Sequence, residues 1–203
     1  MGNVPASKNA VPVSVTDIKD VTLERMAVPE ALKSTVTVGE TVAAGSLWKD
    51  QPAIVYVVRR PGCILCREHA RDLSEKQPEF AAKGVKLLGV VHEKLGVEGF
   101  ASGFFKNGEV YFDEEKAFFN ALGMRWQGLT GVLKPSVISN VRRANSKGVE
   151  GNLVGEGRLL GGLLVVDAGD AGVVFEHREA VFGDHAKMED IMKAVDSVAK
   201  TSS

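Results

Sequence analysis

The chain has 203 residues, of which 44% are hydrophobic and 25% charged, with a formal net charge of −1. That is enough apolar material for one domain with extensions or two small ones, and it carries no bias toward nucleic acid or an anionic membrane. Two cysteines are too few for a disulfide framework in place of a core, and no apolar run approaches the ~20 residues of a membrane span.

Residues 1–20 lack the basic-then-apolar order of a secretory signal, because Asp17, Lys19 and Asp20 interrupt them. Gly2 raises N-myristoylation, but Ala6 stands where that motif needs Ser or Thr, with Ser7 one place late. The expected location is therefore the cytoplasm, with the cysteines as a working pair in a reducing compartment. Residues 1–33 read as an extended arm and residues 34–203 as the folded domain. Residues 34–38 suit a short edge strand.

Residues 53–58 are uninterruptedly apolar and predict a strand buried on both faces. A helix follows over residues 64–82, with Ala70, Leu73, Gln77, Phe80 and Ala81 inward. Pro78 should kink or split it, and Gly84 can stop it. Residues 85–91 are a second buried strand. Val97, Phe100, Ala101, Phe104 and Phe105 fall on one helical face, weakened by Gly99 and Gly103. Residues 109–112 are a third strand. Asp113 can cap the next helix, with Glu114 and Glu115 in its first turn and Gly123 past its end.

Residues 124–157 read as an insertion, with a short helix over 135–143 and a glycine-rich loop over 148–157. Residues 161–167 and 173–177 flank Ala168-Gly169-Asp170-Ala171-Gly172, which is hairpin chemistry. Met188, Ile191, Met192, Val195, Val198 and Ala199 make one stripe on a last helix, with Asp184 as its cap. A parallel strand–helix–strand start, then a hairpin and a last helix, is an α/β thioredoxin-like plan.

The two cysteines stand as Cys63-Ile64-Leu65-Cys66, just after the first buried strand and at the start of the helix. Backbone N–H groups point outward there and the helix dipole favours negative charge. A thiol so placed becomes a thiolate near neutral pH, and the thiolate is the nucleophile of disulfide exchange. Cys63 is the expected nucleophile and the more exposed thiol, with Arg60 and Arg67 lowering its pKa. Cys66, one turn on, is the buried resolving thiol. A pair of inert core cysteines is the plainer alternative. A zinc site lacks a second C-x-x-C or matching histidines.

Arg59 to Arg67, read as Arg59-Arg60-Pro61-Gly62-Cys63-Ile64-Leu65-Cys66-Arg67, resembles the signature of the peroxiredoxin-like 2 family. That family includes prostamide/prostaglandin F synthase and selenoprotein U relatives, within the wider alkyl hydroperoxide reductase group. Ser46-Leu47-Trp48-Lys49-Asp50, Gly108-Glu109-Val110-Tyr111-Phe112-Asp113, Glu176-His177-Arg178-Glu179 and Phe182-Gly183-Asp184 resemble it too. The resemblance covers about residues 40–195. It implies a thioredoxin-like fold with peroxiredoxin-like elaborations and a thiol-dependent antioxidant oxidoreductase. No bound cofactor is implied, and reducing equivalents would come from thioredoxin or glutathione. The substrate would be a small peroxide or disulfide, or a prostaglandin endoperoxide. A redox-switched binding protein without turnover is the alternative of another class.

Two departures stand out. Peroxiredoxins carry P-x-x-x-T-x-x-C, and here Tyr56 and Arg60 hold the Pro and Thr places. Leu159-Leu160-Gly161-Gly162 stand where thioredoxins place a proline facing the dithiol. Of the remaining polar residues, Arg60 is the third candidate site residue, beside Cys63 and Cys66. Arg59 and Arg60 suit either an anionic substrate or plain surface. His69 and His177 read as solvated, as do Arg142 and Arg143. The phenylalanines at 100, 104, 105, 118 and 119 read as core.

Overall fold

The structure, a computed structural model, describes residues 12–27, 37–128 and 134–199. Most of the edge strand expected over 34–38 lies outside the described residues. Seven strands form one sheet in the order β2-β1-β5-β4-β3-β6-β7. They are β1 (Thr22–Ala27), β2 (Thr41–Ala43), β3 (Ala53–Val58), β4 (Lys86–Val91), β5 (Glu109–Phe112), β6 (Gly162–Val166) and β7 (Val173–Arg178). The helices are α1 (Ile64–Ala81), α2 (Val97–Gly103), α3 (Ala117–Ala121), α4 (Pro135–Ser146) and α5 (Met188–Ala199).

β3 and β4 pair in parallel, as do β4 and β5, while β6 and β7 return antiparallel. The unit β3–α1–β4 followed by β6–β7–α5 is the thioredoxin-like fold expected from the sequence. β3 needs its continuous apolar run because alternate residues enter opposite layers. Ile54, Tyr56 and Val58 face a core shared with α1, α2, α4 and α5. Ala53, Val55 and Val57 face the other, with Trp48, Phe118 and Phe119. Each such large side chain contributes about 1.5–3 kcal/mol on burial.

The arm is not separate from the domain. β1 pairs antiparallel with β5 across Glu24↔Phe112 and Arg25↔Tyr111. Val13, Val15, Ile18 and Leu23 enter the second core. The fully buried Arg25 donates to Glu109 at 2.5 Å, and the Tyr111 hydroxyl donates to the same carboxylate at 2.6 Å. A boundary at residue 33 therefore misses a strand whose apolar positions are few and interspersed with charge.

α1 runs through Pro78 as one helix. Proline has no N–H to offer the Ser74 carbonyl. Asn107 Nδ2 donates to that carbonyl instead, at 3.0 Å, so the freed acceptor is satisfied and the helix continues. Gly84 ends the turn after it with φ +72°. Ala81, expected inward, is exposed, and Gln77 is half-buried.

The Asp113 carboxylate accepts from the Ala117 and Phe118 N–H groups at 3.1 and 2.9 Å, capping α3 as expected. Glu114 and Glu115 lie in the turn before the helix, not in its first turn. Asp184 does not cap α5: its carboxylate accepts from Ala180 N–H at 2.9 Å. Within residues 134–157, α4 packs on α1, and the loop over 148–157 returns to the strand end beyond β3.

Candidate active site

Cys63 is the N-cap of α1, in extended backbone at φ −72° and ψ 128°. Its carbonyl accepts the first helical bond, from Arg67 N–H at 2.9 Å. Its side chain thus starts where α1's unpaired N–H groups begin. Both thiols are free and buried, Cys63 3% and Cys66 1% exposed. Cys63 is more enclosed than expected. The loop over 148–157 packs against the neighbouring Gly62.

Three arginines hold that loop. Arg59 Nη1 donates to the Gly157 carbonyl at 2.6 Å, Arg60 Nη2 to Asn152 at 2.9 Å, and Arg67 Nη1 to Glu150 at 3.0 Å. Asn152 N–H donates back to the Gly62 carbonyl at 2.7 Å. A Cβ on Gly151 would lie 2.6 Å from Ile64 N. Glycine is required there for the close approach of the two backbones.

The guanidinium on the thiol is Arg59's. Its Nη2 donates to Cys63 Sγ at 2.5 Å. The sequence predicts Arg60 and Arg67 as the charges that lower the Cys63 pKa, and the Arg60 charge does lower it, by less than that of Arg59. Arg60 is buried and lines the same cavity, but its donor contact is with the loop. Arg67 is bound to the Pro61 and Glu150 carbonyls and lies over the Phe104 ring, away from the sulfur. Arg59 is itself held in place: His92 Nε2 lies 2.9 Å from its carbonyl, and its guanidinium sits 4.4 Å from the Phe182 ring centroid.

The two thiols are driven apart electrostatically. A hydrogen bond from the Cys66 thiol holds Cys63 well below the usual thiol range, against the opposing effect of burial. The Arg59 charge reinforces it. The same hydrogen bond, with burial, pushes Cys66 well above that range. One thiolate and one thiol is the state a nucleophile and a resolving group need.

Behind the pair, the Tyr56 hydroxyl donates to the Cys66 carbonyl at 3.3 Å. His69, read as a surface residue, is buried against Tyr56 and stacked on His185 at 4.5 Å. Burial lowers its imidazole to about 3, so it is neutral. Its position was legible in the helix: it lies three residues after the buried Cys66 and next to Ala70. His177 is half-buried with Nε2 2.6 Å from the Asp184 carbonyl. Arg143 is not merely solvated, since it grips the buried Glu68 at 2.8 and 2.9 Å. Glu179 was not singled out in the sequence. It is 3% exposed, and burial raises its carboxyl to about 7.

A cavity of about 890 Å³ opens on Cys63. Ile64, Leu65, Val137, Val141, Leu153 and Phe182 form its apolar wall, and Arg59, Arg60, Arg142 and Arg158 stand among them. The site can therefore present a thiolate to a molecule with an apolar body and an acidic or electron-rich group.

A thioredoxin-like sheet with a cysteine pair at the start of α1 defines the class as a thioredoxin-like α/β protein. Comparison gives the family. Residues 72–181 match the family described as "AhpC/TSA antioxidant enzyme", a segment that begins just after the two cysteines. Peroxiredoxin-like 2A of Gallus gallus is 35% identical over 208 residues, covering 100% of this chain and 92% of that protein. Prostamide/prostaglandin F synthase of Salmo salar is 33% identical over 162 residues, covering 78% and 81%. The chain belongs to the peroxiredoxin-like 2 family. Among solved structures, peroxiredoxin Q of Xanthomonas campestris aligns with a TM-score of 0.61 over 94% of this chain and 98% of that one, at 14% identity. That likeness is one of fold. No helix among the described residues is long and apolar enough to cross a membrane.

Proposed function

We propose that this protein is a peroxide-reducing thiol–disulfide oxidoreductase in which Cys63 attacks and Cys66 resolves. The observation that carries this reading is the Arg59 guanidinium on the Cys63 sulfur, at the wall of an apolar cavity. The Cys63 thiolate attacks one oxygen of a peroxide O–O bond. The other oxygen leaves as an alcohol once protonated, and Cys63 becomes a sulfenic acid. Cys66 then displaces water from that sulfur, which closes the disulfide. Two thiols of thioredoxin or glutathione return the pair to its reduced state by exchange. Arg59 offers the developing oxyanion a fixed donor.

The test couples turnover to thioredoxin reductase, thioredoxin and NADPH, with an organic hydroperoxide as substrate. Multiple turnovers are expected. They are expected to vanish in Cys63→Ser, whereas Cys66→Ser should still be oxidised but form no internal disulfide, so that an added monothiol traps its Cys63 as a mixed disulfide. A single stoichiometric oxidation would mean a redox switch instead of an enzyme. Normal turnover by Cys63→Ser would remove Cys63 from the mechanism.

A second reading is reduction of a prostaglandin endoperoxide, whose O–O bond is open to the same attack. It is favoured by the arginines set in the apolar cavity wall, which suit a lipid with a carboxylate. The name of the Salmo salar relative points the same way.

A further inference from the structure

We propose that Arg142 reads the acidic end of the substrate: its guanidinium takes the carboxylate of a long-chain hydroperoxide whose apolar body lies along the cavity wall and whose O–O bond reaches Cys63. The inference rests on the peroxide reduction proposed above and assigns the residue that selects its substrate. Arg142 takes no part in breaking the O–O bond.

The cavity has room for more than a peroxide group. Its volume of about 890 Å³ lies within the range of clefts that enclose a whole small ligand, about 300–1,000 Å³. Hydrogen peroxide would leave nearly all of it unfilled. Leu153 is 89% exposed and Ile138 41% exposed, and both line it. Apolar surface displayed in this way gains free energy only when an apolar body covers it.

The four arginines of this wall are not equivalent. Arg59 donates to the Cys63 sulfur and to the Gly157 carbonyl. Arg158 is held by a carboxylate of the wall itself: its Nε and Nη2 donate to Glu156 Oε1 and Oε2 at 3.1 and 3.2 Å. Arg60 is 7% exposed, and its Nη2 is committed to the Asn152 carbonyl. Arg142 is exposed, and among the described residues it has no hydrogen-bond or ion-pair partner. Glu156 is the one carboxylate among the described residues of the wall. The charges of Arg60 and Arg142 are therefore unanswered by any carboxylate there. Of the two, Arg60 is enclosed beneath the loop, whereas Arg142 is open to a ligand.

α4 brings Arg142 to the apolar side. Ile138, Val141 and Arg142 have the spacing of one helical stripe, and all three line the cavity. The next residue, Arg143, serves a different place. It donates to Glu68 and to Asn140, beside a separate polar cavity. Two adjacent arginines are thus sorted, one neutralised within the protein and the other left open beside an apolar wall. The planar fork of a guanidinium matches a carboxylate. A fatty acid hydroperoxide supplies that carboxylate and the apolar chain together.

The experiment follows stopped-flow oxidation of the reduced full chain at pH 7 by a long-chain fatty acid hydroperoxide and by its methyl ester, both below their micelle concentrations. The two peroxides share chain and O–O bond and differ in charge. The acid is expected to react about three- to fivefold faster, the worth of an ion pair that water still reaches. Arg142→Gln should bring that ratio to about one, and Arg142→Glu should invert it. Arg143→Gln, which removes the same charge one residue away, should keep the preference, as should Arg60→Met. If the unaltered protein shows no preference, or if Arg142→Gln keeps it in full, the assignment to Arg142 is overturned and peroxide reduction stands. If neither peroxide oxidises the protein, the proposed activity itself fails and this inference falls with it.

Discussion

Arg59 Nη2 stands 2.5 Å from Cys63 Sγ, a contact made across four residues of chain by the turn that joins β3 to α1. The guanidinium cannot be deprotonated in a protein, so it is a permanent positive charge on the sulfur. It also fastens the loop over 148–157 through Gly157. One side chain therefore sets both the charge on the Cys63 sulfur and the wall of the cavity beside it.

Arg59→Met should raise the Cys63 pKa by about one unit or more, since an opposite charge at contact distance typically shifts a group by that much. The Cys66 hydrogen bond, the larger cause of the depression, remains. Alkylation by iodoacetamide followed against pH measures the shift. Arg60→Met should move the profile much less. An equal shift in the two variants would mean that the Arg60 charge weighs on the sulfur as heavily as the Arg59 contact.

Much of the fold was legible because its signals are local. The unbroken apolar run of β3, the glycines after α1 and α3, and the cysteine pair at a helix start each declare themselves within a few residues. The arginine on the thiol does not. Arg59 and Arg60 both lie beyond the last β3 residue, Val58, where the period-2 rule no longer says which side chain faces which layer. Glu179 was hidden in a charged run, Glu176 to Glu179, that reads as a solvated strand end. β1 was missed because Glu24 and Arg25 break its apolar pattern, and the Glu109 partner that permits a buried Arg25 is far away in sequence.

Gly161→Ala should destabilise the protein by about 1–3 kcal/mol, the usual cost of overpacking a site that cannot yield. The atom in the way is the Val57 carbonyl oxygen, 2.2 Å from the new Cβ. Urea denaturation measures the loss. A neutral substitution would mean that the ends of β3 and β6 can part without cost.

Glu68 ties α1 to α4. Its buried carboxylate accepts two hydrogen bonds from Arg143, and Lys147 Nζ lies 3.1 Å away. Burial opposes its ionisation, but the bonds from Arg143 and Lys147 win, so its pKa lies below the usual carboxylate value. A depressed carboxylate adds stability at neutral pH and loses it as pH falls through the folded pKa. Arg143→Ala should cost about 1 kcal/mol, a charged hydrogen bond discounted because the Arg143 side chain is half exposed. Unfolding at pH 7 and at pH 3 should show the cost at the first and little of it at the second.

Buried histidines set the stability profile between pH 5 and 6.5. His69 is lowered to about 3 and His185 well below its ordinary value, both chiefly by burial. Their unfolded forms take up protons near pH 6.5 that the folded forms refuse, so stability falls as pH falls through that window. Glu179 acts oppositely: its folded carboxyl, near 7, holds a proton that the unfolded one releases above about 4.5. The balance is about one proton, or about 1.4 kcal/mol lost per pH unit. His69→Asn should flatten the slope, and Glu179→Gln should steepen it. Denaturation midpoints at several pH values decide both signs.

Reaction with hydrogen peroxide should be slow beside reaction with an organic hydroperoxide. Peroxiredoxins present a Thr hydroxyl where Arg60 stands, and the Arg60 Nη2 is occupied by the Asn152 carbonyl. Tyr56, in the Pro place, turns its hydroxyl to the Cys66 carbonyl. Arg59 remains as the donor on the sulfur, so a small polar peroxide finds little to orient it. The apolar wall offers a larger peroxide what those donors do not. Two buried methylene groups at about 0.8 kcal/mol each are worth about tenfold in binding. Stopped-flow oxidation of the reduced protein should therefore rank a fatty or aryl hydroperoxide at least about tenfold above hydrogen peroxide. Leu153→Asp, at the apolar wall, should narrow that gap by lowering the faster rate alone. Equal rates for both peroxides in the unaltered protein would mean that Arg59 suffices for alignment and that the cavity does not choose the substrate.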